Sequence, residues 1–173
     1  MTSIILTLII SLSFLFAEVA RKNPRAEPKW RKIVLMRSTR EDVERLLGKS
    51  QYRGFNASYT VEDGTLDVVY YPFNHCSEPG ADLRVPQWTV VELTYEPSNP
   101  QKLANLDLDL KKFRKQKESL DAPDLISYIN NEKGVDYTFQ ADNTLSDIRY
   151  FPAKRYDYLR CNQTQSNRRK KPL

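Results

Sequence analysis

The chain is poor in the residues that most familiar catalytic chemistry requires. Its 173 residues include only five Gly, two Cys and one His. That inventory excludes a glycine-rich phosphate loop, a multi-cysteine zinc site and a metal centre built on a histidine pair. No serine nucleophile elbow and no metal-binding helix motif is present. Long apolar stretches are scarce too: one uncharged run, Ile4 to Ala17, stands near the start. The rest is ordinary for a folded protein, with 40% hydrophobic and 28% charged residues, which excludes wholesale disorder. The length fits one domain or two small ones.

Formal net charge is +5, but it is unevenly spread. Residues 18–32 carry a net +4 and residues 162–173 another +4, which leaves 33–161 at −3. Two basic flanks therefore border a mildly acidic body. Such flanks either stay solvated or touch anionic lipid, cell-wall polymers or nucleic acid. Nucleic acid is not an expected partner of an acidic body.

The apolar run Ile4–Ala17 is 14 residues long. A bilayer-spanning helix needs about 17–25 residues, whereas a signal-peptide core needs about 7–15. The run reads as a signal peptide over residues 1–17 (or to 20), with a basic linker at 18–29 carrying Pro24 and Pro28. The expected destination is periplasmic or extracellular. The alternative is an uncleaved N-terminal anchor, which, with positive charge at Arg21 to Lys32, leaves the body in the cytoplasm. No Cys lies near residue 20, so a lipid-modified cysteine is excluded there. Cys76 and Cys161 are the only thiols, and in an oxidising compartment they are expected to form a disulfide. His75 adjoins Cys76, but neighbours in an extended segment point to opposite sides. That argues against a catalytic or metal-binding pair.

Residues 30–161 read as one α+β domain. In Ser38-Thr39-Arg40-Glu41, Ser38 is the expected cap and Glu41 returns the bond to its amide. Val43, Leu46 and Leu47 then share a face, Arg40/Glu44 and Glu41/Arg45 are i,i+4 pairs, and Gly48 is a stop. The pattern predicts a helix over 39–47. Alternation and β-branched or aromatic content predict strands at Phe55 to Val61, Leu66 to Tyr71 and Trp88 to Tyr95, with a hairpin at Glu62-Asp63-Gly64-Thr65. Residues 72–87 form a long Pro- and Gly-bearing loop of the kind that carries function. A second helix around Leu110 to Lys117 and strands at Leu125 to Asn130, Val135 to Gln140 and Leu145 to Phe151 repeat the order. The fold class expected is an antiparallel sheet with short helices packed on one face. The repeated order suggests two tandem helix-plus-three-strand units, halves 30–97 and 103–161; chance likeness of two Asp-turn-strand segments is the other reading. Residues 162–173 read as a basic disordered tail.

The stretch Ser38 to Gly48 (STREDVERLLG) followed by antiparallel strands resembles the helix opening of the small outer-membrane assembly lipoproteins and their relatives. The resemblance implies the fold of the β-lactamase inhibitor protein, built from tandem helix-plus-sheet units. The chain is more similar still to secreted bacterial proteins of uncharacterised function. These carry this helix, a Val-Pro-x-x-Thr-Val segment (here Val85-Pro86-Gln87-Trp88-Thr89-Val90) and a terminal Leu159-Arg160-Cys161. The resemblance covers roughly 30–161. The missing lipid-acceptor cysteine departs from the lipoproteins, and fold likeness alone transfers no function.

Candidate chemistry is sparse. Asp107 and Asp109 share one side if the segment is extended, as an acid/base pair or a calcium site would need, but acids in that position more often complement a following helix. Most of the ten tyrosines sit in strand-like segments, where aromatic residues are simply good sheet formers. Trp88, His75 and Tyr71, in or beside the 72–87 loop, are the candidate binding residues. The expectation is a non-catalytic binding or interaction module of the cell envelope, without cofactor, whose partner is an envelope protein or polymer. Any membrane contact would be confined to the N-terminal segment or the basic tails. A secreted enzyme or enzyme inhibitor is the alternative reading. The sequence leaves oligomeric state open.

Overall fold

The computed structural model describes residues 29–50, 52, 54–74, 76, 78, 80–117 and 124–161. The expected signal peptide, the linker up to residue 28, His75 and the C-terminal tail lie outside the described residues. No helix among those described is long and apolar enough to cross a membrane.

A two-residue hairpin comes first, β1 (Lys29–Trp30) against β2 (Ile33–Val34). The only α-helix among the described residues, α1 (Arg40–Leu47), follows. Then come β3 (Asn56–Val61), β4 (Gly64–Tyr70) and β5 (Val90–Pro97). Later in the chain are β6 (Arg114–Lys117), β7 (Ile126–Asn130), β8 (Val135–Phe139) and β9 (Leu145–Tyr150). β3 to β9 make one antiparallel sheet in the order β3-β4-β5-β9-β8-β7-β6. Two meanders therefore meet at their last strands, where Leu93 faces Tyr150 and Tyr95 faces Ile148.

This architecture overturns the α+β expectation. The protein is mostly sheet: the three strands expected in the second half form, but among the described residues no helix opens that half. Where a helix was expected around Leu110 to Lys117, there is a 3-10 turn at Leu110–Lys112 and then edge strand β6. The physical reason lies in the charges. Lys111, Lys112, Arg114, Lys115 and Lys117 would repel at i,i+3 and i,i+4 on a helix, and Asp109 makes no side-chain cap bond. The alternation Leu106-x-Leu108-x-Leu110 has the period of extended chain.

The first helix forms as its cap chemistry dictates, one residue later than expected. Thr39, not Ser38, is the N-cap, and Asp42 completes the box by accepting from the Thr39 amide at 2.9 Å. Ser38 is used elsewhere, its Oγ accepting the Val34 amide at 3.0 Å. Arg40 pairs with Glu44 at 2.8 Å as expected, whereas Arg45 meets Asp42 at 3.0 Å. Gly48 ends the helix at φ 88°, a region that glycine enters without penalty.

One face of the sheet is apolar along β3 and β4, where Ala57, Tyr59, Leu66, Val68 and Tyr70 are buried in alternation. Val43 of α1 and Trp30, Ile33, Leu35 and Met36 around the first hairpin join them in one cluster. That hairpin was not expected, because its strands are too short for a periodicity to register. A second, smaller cluster of Tyr128, Phe139 and Leu145 lies in the other meander. Leu103, Leu106, Leu108 and Phe113 pack against it without being fully buried.

Candidate functional site

The 72–87 loop is fixed to the sheet by its own backbone. Tyr71 stands just past β4, and its amide donates to the Thr89 carbonyl at 2.8 Å. The Trp88 amide donates back to the Tyr71 carbonyl at 2.8 Å, and the Trp88 carbonyl accepts the Arg40 amide at 3.0 Å. The two ends of the loop are thus clamped to each other and to the first turn of α1. The Tyr71 side chain is buried, and its hydroxyl accepts the amides of Asp82 at 3.0 Å and Leu83 at 2.9 Å. Tyr71 therefore shapes the loop from beneath and offers no surface to a ligand. Gln87 closes the entrance by donating from Nε2 to the Pro72 carbonyl at 2.8 Å.

Cys76 and Cys161 are joined in a disulfide, with Cα atoms 5.5 Å apart. Beside it the Cys161 amide donates to the Asp82 carbonyl at 2.8 Å, and the Arg84 amide to the Leu159 carbonyl at 2.6 Å. The C-terminal 3-10 segment Lys154–Leu159 is thereby strapped against the loop. His75 lies outside the described residues.

Trp88 is half-buried and occupies the left-handed region at φ 69°. For a bulky residue that conformation costs about 1–3 kcal/mol and persists only where surrounding structure dictates it. The clamp just described supplies that structure. Its indole stacks on Phe55, centroids 4.6 Å apart, and meets the edge of Tyr70 at 6.5 Å. The Arg40 guanidinium lies 5.2 Å from the indole centroid and 5.6 Å from the Tyr70 ring. Arg40 also donates to the carbonyls of Gly54 at 3.2 Å and Tyr52 at 2.5 Å. One cation thus ties the backbone at Tyr52 and Gly54 to the Phe55–Trp88 ring pair, with Phe55 36% exposed. Beneath it the Tyr59 and Tyr70 hydroxyls share a buried hydrogen bond of 3.1 Å. Burial, followed by that bond, pushes the Tyr70 phenol far above its ordinary range.

An open groove of about 710 Å³ runs from Trp88 along the loop, past Asn74, Arg84, Pro86 and Gln87 to the disulfide. None of its lining residues is a carboxylate. The Arg84 guanidinium makes no ion pair among the described residues and is exposed. The groove therefore presents part of the Trp88 side chain, a guanidinium without an ion pair among the described residues and two amide side chains. Of the three binding candidates read from the sequence, Trp88 lines it and Tyr71 supports it. Sequence reasoning missed Arg40, Phe55 and Arg84. Arg40 registered only as half of a helical ion pair, and Phe55 only as the start of a strand.

The opposite face of the sheet carries a second polar group. Asp136, 2% exposed, accepts from Arg149 at 2.9 Å through Oδ2, while its Oδ1 has no hydrogen-bond partner among the described residues. Burial raises the carboxyl of neighbouring Asp147 above the usual range, against hydrogen bonds from Thr138 and Ser146 that lower it. Asp109 makes no side-chain cap bond to the 3-10 turn that follows it. It pairs with Lys112 at 2.9 Å, and that hydrogen bond holds its carboxyl below the usual range. Among the described residues no group of three or more His, Cys, Asp or Glu side chains is arranged to hold a metal ion.

No family model matches the chain. No curated protein matches it either. Among solved structures, a DUF4309 family protein (YjgB) from Bacillus subtilis subsp. subtilis str. 168 is similar at 13% identity and a TM-score of 0.48, over 70% of this chain and 83% of that one.

Proposed function

We propose that the protein is an exported, non-catalytic binding module of the cell envelope that takes its ligand in the groove beside Trp88. The observation that carries this reading is the half-buried indole held at φ 69°. A strained aromatic residue at a clamped loop end has its orientation fixed by the fold, as a preorganised contact surface requires. Arg84 gives the site a sign. The ligand class is one that combines a ring or apolar group, packing on Trp88, with an anionic group meeting the exposed Arg84 guanidinium. Acidic envelope polymers have that composition. The Cys76–Cys161 disulfide supports residence in an oxidising compartment, and the apolar run Ile4–Ala17 supports export.

The test is co-sedimentation with purified, insoluble envelope polymer at two salt concentrations. Wild type should pellet with the polymer, Trp88→Ala should lose roughly tenfold in affinity, and Arg84→Ala should lose most of its salt dependence. Equal pelleting by all three proteins would refute the site. Intact mass of protein recovered from cell fractions tests export separately: loss of residues 1–17 or 1–20 supports it, and a full-length mass contradicts it.

A further inference from the structure

The two edges of the seven-stranded sheet are built in opposite ways. At one end β6 reads Arg114-Lys115-Gln116-Lys117, every residue exposed. A lysine-rich edge is how sheets avoid pairing with other strands. At the other end β3 reads Asn56-Ala57-Ser58-Tyr59-Thr60-Val61, without a charge or a proline. Among the described residues it pairs only with β4.

The register says which backbone groups β3 leaves open. The Phe55 carbonyl accepts the Tyr70 amide at 2.7 Å, so Phe55 belongs to the set whose backbone points toward β4. Antiparallel pairing alternates, and Ala57, Tyr59 and Val61 belong to the same set. Asn56, Ser58 and Thr60 then direct both N–H and C=O outward from the sheet. None of these groups has a partner among the described residues.

From this edge we infer that two copies of the chain pair β3 to β3 in an antiparallel two-fold dimer with Ser58 opposite Ser58 of the second copy. In that register Asn56 faces Thr60 of the other copy, so every open N–H meets an open C=O. No charged side chains are brought face to face. Val61 of each copy falls opposite Phe55 of the other, which gives the exposed Phe55 ring an apolar neighbour. Pairing two β6 edges instead would set lysines and arginines against one another, so the self-complementary edge is β3. The two Trp88 grooves, each beside its own Phe55, would then border the new seam.

The register permits a specific test on the full mature chain. Ser58→Cys places two thiols across a hydrogen-bonded pair, where Cα atoms stand about 5.5 Å apart and a disulfide fits. Asn56→Cys places its two thiols well beyond disulfide reach in the same register. Under mild oxidation Ser58→Cys should give a covalent dimer and Asn56→Cys should not. In analytical ultracentrifugation wild type should sediment as a dimer at about 100 μM, and Ser58→Lys should weaken the association by roughly tenfold or more. Circular dichroism and thermal melting confirm that each variant is folded. A wild type that stays monomeric at that concentration overturns the inference. So does a dimer indifferent to Ser58→Lys, or one that crosslinks as well through Asn56→Cys. Measuring these in the absence of polymer keeps the result separate from binding in the groove.

Discussion

The two meanders of the sheet have the same strand count on either side of the β5–β9 seam apart from edge strand β6, yet they are secured differently. The β3-β4-β5 meander has a capped helix, a hairpin and a strapped loop packed into one large cluster, and a disulfide ties that loop to the C-terminal 3-10 segment. The β9-β8-β7 meander is covered by the segment 103–113, two 3-10 turns joined by extended chain. Its ties are peripheral: exposed Lys102 donates to Asp142 at 2.6 Å and to Thr144 at 2.6 Å. That ammonium holds the Asp142 carboxyl far below the usual range, but an exposed pair of this kind contributes little stability. A helix seals a sheet face because it brings side chains at i, i+3 and i+4 to one surface, whereas an extended cover brings only every second residue. Stability should therefore be concentrated in the first meander.

The largest expected effect tests the staple. A Cys76→Ser, Cys161→Ser double variant should lose about 2–5 kcal/mol in urea unfolding, as expected for a long loop whose ends are 85 residues apart. A loss below about 1 kcal/mol would show that backbone bonds alone secure the first meander. Next comes a pair of leucines. Leu66, fully buried beneath the large cluster, should cost about 2–5 kcal/mol as Leu66→Ala. Leu108 against the small cluster should cost only about 1 kcal/mol as Leu108→Ala. Equal losses would erase the contrast.

The smallest effect sharpens it through pH. Burial raises the Asp147 carboxyl, so the folded state holds that proton more tightly than the unfolded chain. Its contribution is favourable in acid and is lost as pH rises through the carboxylate range. Asp147→Asn should therefore raise the melting temperature by about a degree or two at pH 7 and by nothing near pH 3. An unchanged melting temperature at pH 7 would mean that Thr138 and Ser146 offset the burial in full.

The strands of both meanders were legible because period-two alternation and turn residues coincide there. Gly64 shows how closely: a Cβ at this position would lie 2.1 Å from the Glu96 carbonyl oxygen, so the glycine that marks the hairpin is also demanded by the neighbouring strand. Helix α1 was legible from its cap motif, but Thr39 and Asp42 outcompeted Ser38 and Glu41 once Ser38 had the Val34 amide to serve. The order of strands across the β5–β9 seam could not be read, since nothing local encodes which meander edges join. The site was half legible. Trp88 announced itself as an aromatic after a long loop, whereas Arg40 acquires its role only when the fold brings the Tyr52 and Gly54 carbonyls and two rings around it.

The disulfide has a mechanical consequence. Tension applied to the chain beyond residue 161 passes from Cys161 directly into Cys76 and bypasses everything between them. The thinly covered meander hangs on a closed covalent ring, outside the line of force. A pull on the C-terminus would load the backbone from Cys76 back through Tyr71 into β4 and β3, whereas Trp88 and β5 lie on the ring and feel it only through their hydrogen bonds to Tyr71 and β4. The other meander could open and close again without transmitting any of that load.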